Sequence, residues 1–94
     1  MNRFIEVSIM KYNVDYETAK KTCAIRATYL RQEKHMSQSL LAKELGTNLA
    51  AIARLEHGER FNIVLLLKYC NYFDVTLDWL FGMDESCGAS WWRT

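Results

Sequence analysis

The chain has 94 residues, half of them hydrophobic, and a formal net charge of +1. That length suits a single domain whose core is only marginally sufficient, so that oligomerisation would help it. The near-neutral sum excludes a global electrostatic footprint for nucleic acid, no stretch has the apolar length that crosses a bilayer, and Met1-Asn2-Arg3 is not followed by a signal-peptide core, so neither secretion nor membrane insertion is expected.

Residues 3–10, RFIEVSIM, alternate loosely, with Ile5, Val7 and Ile9 on one side and Glu6 and Ser8 on the other. A short strand or extended arm is expected over residues 1–14. From Asp15 the pattern turns helical: Asn13 or Asp15 can cap, Glu17 suits the positive first turn, and Cys23, Ala27 and Leu30 fall on one face before the helix ends near Lys34-His35.

The most informative stretch is Ser37 to Gly58, SQSLLAKELGTNLAAIARLEHG. Ser37 is an N-cap residue, and Leu41, Ala42 and Leu45 recur behind it at helical spacing. Gly46 can take a left-handed φ at little steric cost and stop that helix, and Asn48 caps a second run carrying Leu49, Ile52 and Leu55. A helix, a tight turn and a second helix are thereby written within about twenty residues.

Beyond Gly58 the chain has no proline, and Asn62 is the available cap for a helix over about 63–73 that is apolar almost all round. Asp74-Val75-Thr76 turns the chain, Thr76 caps again, and Leu77, Leu80 and Trp79 are expected to close the core before Gly82. Residues 84–94 read as a tail with small and polar residues that nevertheless contains Trp91-Trp92, a candidate surface for a protein partner. The expected architecture is all-α: an arm (1–14), a helical domain (15–83) and a tail (84–94).

Charge is unevenly spread. From Lys20 to Arg60 the chain carries eight basic side chains against four acidic ones, whereas from Phe61 onward two basic face four acidic. The positive excess thus sits on the half with the two capped helices, as a phosphate-facing surface requires. The cysteines Cys23, Cys70 and Cys87 have neither metal-ligand spacing nor an even count, and a reducing cytoplasm is the simplest home for them. Cys23 and Cys70 sit at apolar helical positions and read as small packed hydrophobes. His35 and His57 lie far apart, with no histidine-glutamate zinc spacing, and no glycine-rich phosphate loop occurs. No enzyme activity, metal or cofactor is expected.

At Gln38, Leu41, Ala42, Leu45, Gly46, Ile52, Glu56 and Gly58, with Leu30-Arg31 upstream and Val75-Thr76-Leu77-Asp78-Trp79-Leu80 downstream, the chain resembles the phage repressor and Cro-type (XRE-like) helix-turn-helix family over roughly residues 22–82. The resemblance implies a compact five-helix repressor-like bundle and a small, cytoplasmic, dimeric DNA-binding regulator of transcription, in the first instance a repressor of double-stranded DNA targets. It implies an ion pair between Arg31 and Glu56. It places Ile63, Leu66, Leu67, Cys70 and Phe73 in the core, leaving Val64, Leu65 and Tyr72 as an apolar stripe for a second copy or for the arm.

The second helix of such a motif enters the major groove by its N-terminal end while the first lies across the backbone. The base-facing positions are matched here by Leu49, Ala50 and Arg54, and the phosphate-facing ones by Ser37, Gln38, Asn48, His57 and Arg60. The chain departs from the family in placing Leu49 and Ala50 where hydrogen-bonding side chains are usual, since these offer base edges only apolar contact, for instance with a thymine methyl. Arg54 alone can fork onto a guanine, or bond a phosphate. An alternative follows from that thin readout: an interaction module, such as the neutralising partner of a toxin or a corepressor subunit, that keeps the fold without the base readout.

Overall fold

Side-chain caps open four of the helices. In a computed structural model, which describes residues 16–60 and 62–83, Ser37 Oγ accepts from Leu40 N at 3.0 Å and Asn48 Oδ1 from Ala51 N at 2.8 Å. Asn62 Oδ1 accepts from Val64 N at 3.0 Å and Leu65 N at 3.3 Å, and Thr76 Oγ1 accepts from Trp79 N at 3.1 Å. Each bond satisfies an amide that has no partner inside its own helix. The helices are α1 (Tyr16–Glu33), α2 (Gln38–Leu45), α3 (Leu49–Glu56), α4 (Ile63–Phe73) and α5 (Leu77–Phe81), and no strand occurs among the described residues. The expected N-terminal strand or arm and the tail with Trp91-Trp92 lie outside the described residues.

Two glycines have specific reasons to be glycine. Gly46 closes α2 at φ 70°, and its amide and that of Thr47 bond back to the carbonyls of Lys43 and Ala42 at 3.2 and 2.8 Å. A side chain there would be strained by the backbone angle rather than by crowding. At Gly82 both apply: φ is 74°, and a Cβ would lie 2.8 Å from Thr22 Cγ2, so the end of α5 can lie against α1 only without one.

The core is built from one face of each helix. Cys23 and Ala27 of α1, Leu41, Ala42 and Leu45 of α2, Ile52 and Leu55 of α3, Leu65, Leu66 and Tyr69 of α4 and Leu80 of α5 form a single buried cluster. Helix α1 packs against α3 and α5, and α2 against α3 and α4. Arg26 joins α1 to α5 twice, donating from its guanidinium to the Trp79 carbonyl and stacking over the Trp79 ring at 4.9 Å.

Helix α4 departs from the expected register. Leu65 is buried, 4% exposed, so it belongs to the core and not to an outward stripe with Val64 and Tyr72. Ile63 and Leu67, expected inside, are 56% and 52% exposed. The inward face follows Leu65, Leu66 and Tyr69, with Cys70 and Phe73 half-buried at its edge. An apolar ring of residues gives the helix little directional preference of its own, and the bulk of Tyr69, wholly buried, fixes the rotation. The outward apolar surface is therefore Ile63, Val64 and Leu67. Tyr72 lies to one side, its ring edge against Phe73 at 5.0 Å and its hydroxyl 4.0 Å from Met36 Sδ.

An ion pair fastens α1 to the end of α3. Arg31 Nε and Nη2 donate to the two carboxylate oxygens of Glu56 at 2.7 and 3.0 Å, and Arg31 Nη1 donates to the Met36 carbonyl at 2.7 Å. Their side chains are only 13% and 6% exposed. The hydrogen bond to Glu56 pushes the Arg31 pKa above its ordinary value, so the guanidinium keeps its charge. Truncating either partner leaves the other charge largely buried and unpaired. Arg31→Ala and Glu56→Ala are each expected to lose about 3 kcal/mol by urea denaturation, and the double variant to lose clearly less than the sum. Additive losses, or no loss, would show that the pair is not coupled.

Two buried groups of the core, Cys23 and Tyr69, ionise only at high pH. Burial pushes the Cys23 thiol up to about 12, with Cys70 adding to the shift, and burial followed by the Glu56 charge raises the Tyr69 phenol. The Tyr69 hydroxyl has no hydrogen-bond partner among the described residues. Both groups hold their protons more tightly folded than unfolded. Their contribution to stability is complete below the unfolded thiol's 9.0 and is lost as the pH rises towards the folded values. Tyr69→Phe is expected to leave stability at pH 7 unchanged or raise it by up to about 1 kcal/mol, and to flatten the alkaline decline in a series of melts from pH 8 upward. A clear loss of stability at pH 7 would show that the hydroxyl is satisfied after all.

Candidate nucleic-acid interface

Helix α3 is amphipathic in the strict sense that its two halves have different employment. Ile52 and Leu55 are buried at 0% and 2% exposure and hold it in the bundle, and Glu56 is bound by Arg31. Leu49, Ala50 and Arg54 remain on the outward face, Leu49 at 48% exposure. Their spacing of i, i+1 and i+5 puts the two apolar residues on the first turn and the arginine on the second. Arg54 and Arg60 line one cleft together with Ala51, Leu55, Asn62 and Leu65.

The remaining site residues fall into two groups. Ser37 and Asn48 are exposed and engaged as caps, each accepting from one amide of its helix start. Such a pair of helix N-termini attracts an anion through free N–H groups and the helix dipole, independently of side-chain identity. His57 is exposed at the end of α3, where its Nδ1 lies 2.8 Å from the Ala53 carbonyl, leaving Nε2 outward. Gln38 is half-buried and turned inward: its amide nitrogen donates to Glu56 Oε1 at 2.9 Å. The side-chain amide expected to face phosphate thus serves chiefly to tie the start of α2 to the end of α3.

Lys68 is a residue that the sequence pattern did not single out. Its ammonium donates to the Gly46 carbonyl at 3.3 Å, which fixes the turn between α2 and α3 from the side of α4. No local signal marks it, because the contact joins positions 22 residues apart. Lys43 is exposed near the end of α2. Among the described residues no group of three or more His, Cys, Asp or Glu side chains is placed to hold a metal ion, and no helix is long and apolar enough to cross a membrane.

The arrangement is a helix, a left-handed turn at Gly46 and a second helix whose outer face is unpacked, held at a fixed angle by the Arg31, Glu56 and Gln38 network. Comparison with curated proteins and with solved structures finds no match. A family model described as helix-turn-helix matches residues 29–80, which takes in the end of α1 and reaches into α5. With more than half of its length so matched, the chain belongs to the XRE-like helix-turn-helix family of DNA-binding transcription regulators.

Proposed function

We propose that the protein is a transcriptional repressor that binds duplex DNA as a homodimer, with α3 in the major groove and α2 across the backbone. The observation that carries this reading is the unpacked outer face of α3, where Leu49, Ala50 and Arg54 stand clear of the bundle while Ile52 and Leu55 hold the helix from behind. Ser37, Asn48, His57 and Arg60 supply backbone contacts, Gln38 acts through Glu56, and Arg54 supplies the one side chain able to fork onto a guanine. A cytoplasmic site of action accords with this role. No step of it needs a cofactor or catalysis.

A second reading rests on the same face. With Leu49 and Ala50 at the tip of α3, base readout by hydrogen bonds is thin, and a protein-interaction module such as an antitoxin or corepressor would use that apolar tip against a protein. The two readings part on binding to duplex DNA at low salt. Affinity is expected to fall steeply as salt rises, in proportion to the phosphates neutralised. Arg54→Ala should relax preference at one base pair per half-site, a loss of about 1–3 kcal/mol in discrimination, whereas Arg60→Ala or Lys43→Ala should weaken all sequences alike. Selection from random duplexes followed by titration of each variant checks this. Absence of binding even at low salt would favour the interaction module.

Dimerisation accords with the outward apolar surface on α4. Ile63, Val64 and Leu67 are each more than half exposed, and a cluster of that kind is a natural interface for a small domain with a limited core. Leu67→Glu should leave the fold intact, since the side chain is 52% exposed, but should convert a dimer into a monomer in sedimentation velocity at micromolar concentration. A wild-type monomer at high micromolar concentration would remove this surface from the interface.

A further inference from the structure

The first turn of α3 presents no hydrogen-bonding side chain outward. Leu49 is 48% exposed, Ala50 is exposed, and Ala51 and Ala53 beside them are half-buried. Ahead of this turn, Thr47 is half-buried and the side-chain oxygen of Asn48 accepts from the Ala51 amide at 2.8 Å, so that Asn48 stands at the helix cap and not on the outward face of the turn. Resting on the reading of α3 as the groove-bound helix, such a surface meets base edges that are almost all donors or acceptors, and pressing an apolar side chain on these leaves them unpaired. The single apolar group on the floor of the major groove is the methyl at C5 of a pyrimidine. Thymine carries it always, and cytosine carries it after C5 methylation.

From these placements we infer that Leu49 and Ala50 form a reader of pyrimidine C5-methyl groups, so that methylation of cytosine at C5 strengthens binding at the positions they touch. Arg54 sets the register. It follows Ala50 by four residues, about 6 Å along the helix axis, which is about two base steps. The preferred element is therefore a methyl-bearing pyrimidine one or two steps from a guanine. Exposed leucine in this place has a use on DNA that a polar residue lacks: it gains from burying a methyl and discriminates against the same base without it. Burial of one methyl group is expected to change affinity about fourfold.

The probe is a pool of random-sequence duplexes made with thymine. The best binder from that pool is remade with uracil in place of thymine, base by base, and separately with 5-methylcytosine in place of cytosine. Affinities are measured by fluorescence anisotropy for the full chain and for Leu49→Ser and Ala50→Ser, with circular dichroism to confirm that both variants fold. About fourfold weaker binding on removing the methyl at one or two positions, a comparable gain when a cytosine there is methylated, and loss of both effects in Leu49→Ser support the inference. Equal affinity for thymine and uracil duplexes, with binding otherwise intact, overturns it and leaves the DNA-binding role standing. Discrimination that persists undiminished in both serine variants also overturns it, because the methyl would then act through DNA shape. Failure to bind any duplex at low salt overturns the DNA-binding reading itself, and this inference with it.

Discussion

The Glu56 carboxylate is the point on which the placement of the motif depends. It takes two bonds from Arg31 and one from Gln38, while the third nitrogen of Arg31 holds the carbonyl of Met36. Four segments thereby meet at one anion: α1, the connection after it, the first residue of α2 and the last residue of α3. The planar fork of arginine fixes direction as well as distance, which a lysine ammonium cannot do. Since Glu56 ends α3, that helix is anchored at its C-terminus by the pair and from behind by Ile52 and Leu55, and on its first turn Leu49 and Ala50 are left exposed.

A charge pair so little exposed has a substantial desolvation cost, and its net worth to stability is smaller than the loss on breaking it. What it secures better than an apolar contact would is geometry. Leu41, Ile52 and Leu66 could pack in neighbouring arrangements of similar area, but the carboxylate can satisfy Arg31 and Gln38 together in very few. The apolar core and the pair thus have different tasks: the first holds the helices together, and the second selects among ways of doing so.

How legible this was depends on how local the cause is. The caps at Ser37, Asn48, Asn62 and Thr76 and the turn at Gly46 are properties of a few adjacent residues, so helix boundaries follow from the sequence closely. The outward grouping of Leu49, Ala50 and Arg54 is likewise set by helical spacing. The buried face of α4 was not legible, because Ile63, Leu65, Leu66 and Leu67 have nearly equal hydrophobicity and only the fit of Tyr69 between helices decides among them. Gln38 and Lys68 were illegible for another reason: each bonds a group 18 or 22 positions away, and nothing in their own neighbourhood announces it. The Arg31 and Glu56 pairing came from family resemblance, not from residue spacing.

The same division accounts for the electrostatics of the face proposed to meet DNA. Glu56 is neutralised within the fold, so the exposed charges around α2 and α3 are Lys43, Arg54 and Arg60 against Glu44 and Glu59. That balance is too even for a long-range basic field, so on the proposed reading attraction to phosphate comes from near groups: the two capped helix starts, and Arg54 with Arg60 at one cleft. Short-range attraction demands accurate placement. A diffuse basic surface tolerates a helix that wavers by several degrees, whereas a few amides and one fork do not. The sparse charge outside and the rigid carboxylate network inside are therefore parts of one solution, in which geometry supplies what net charge does not.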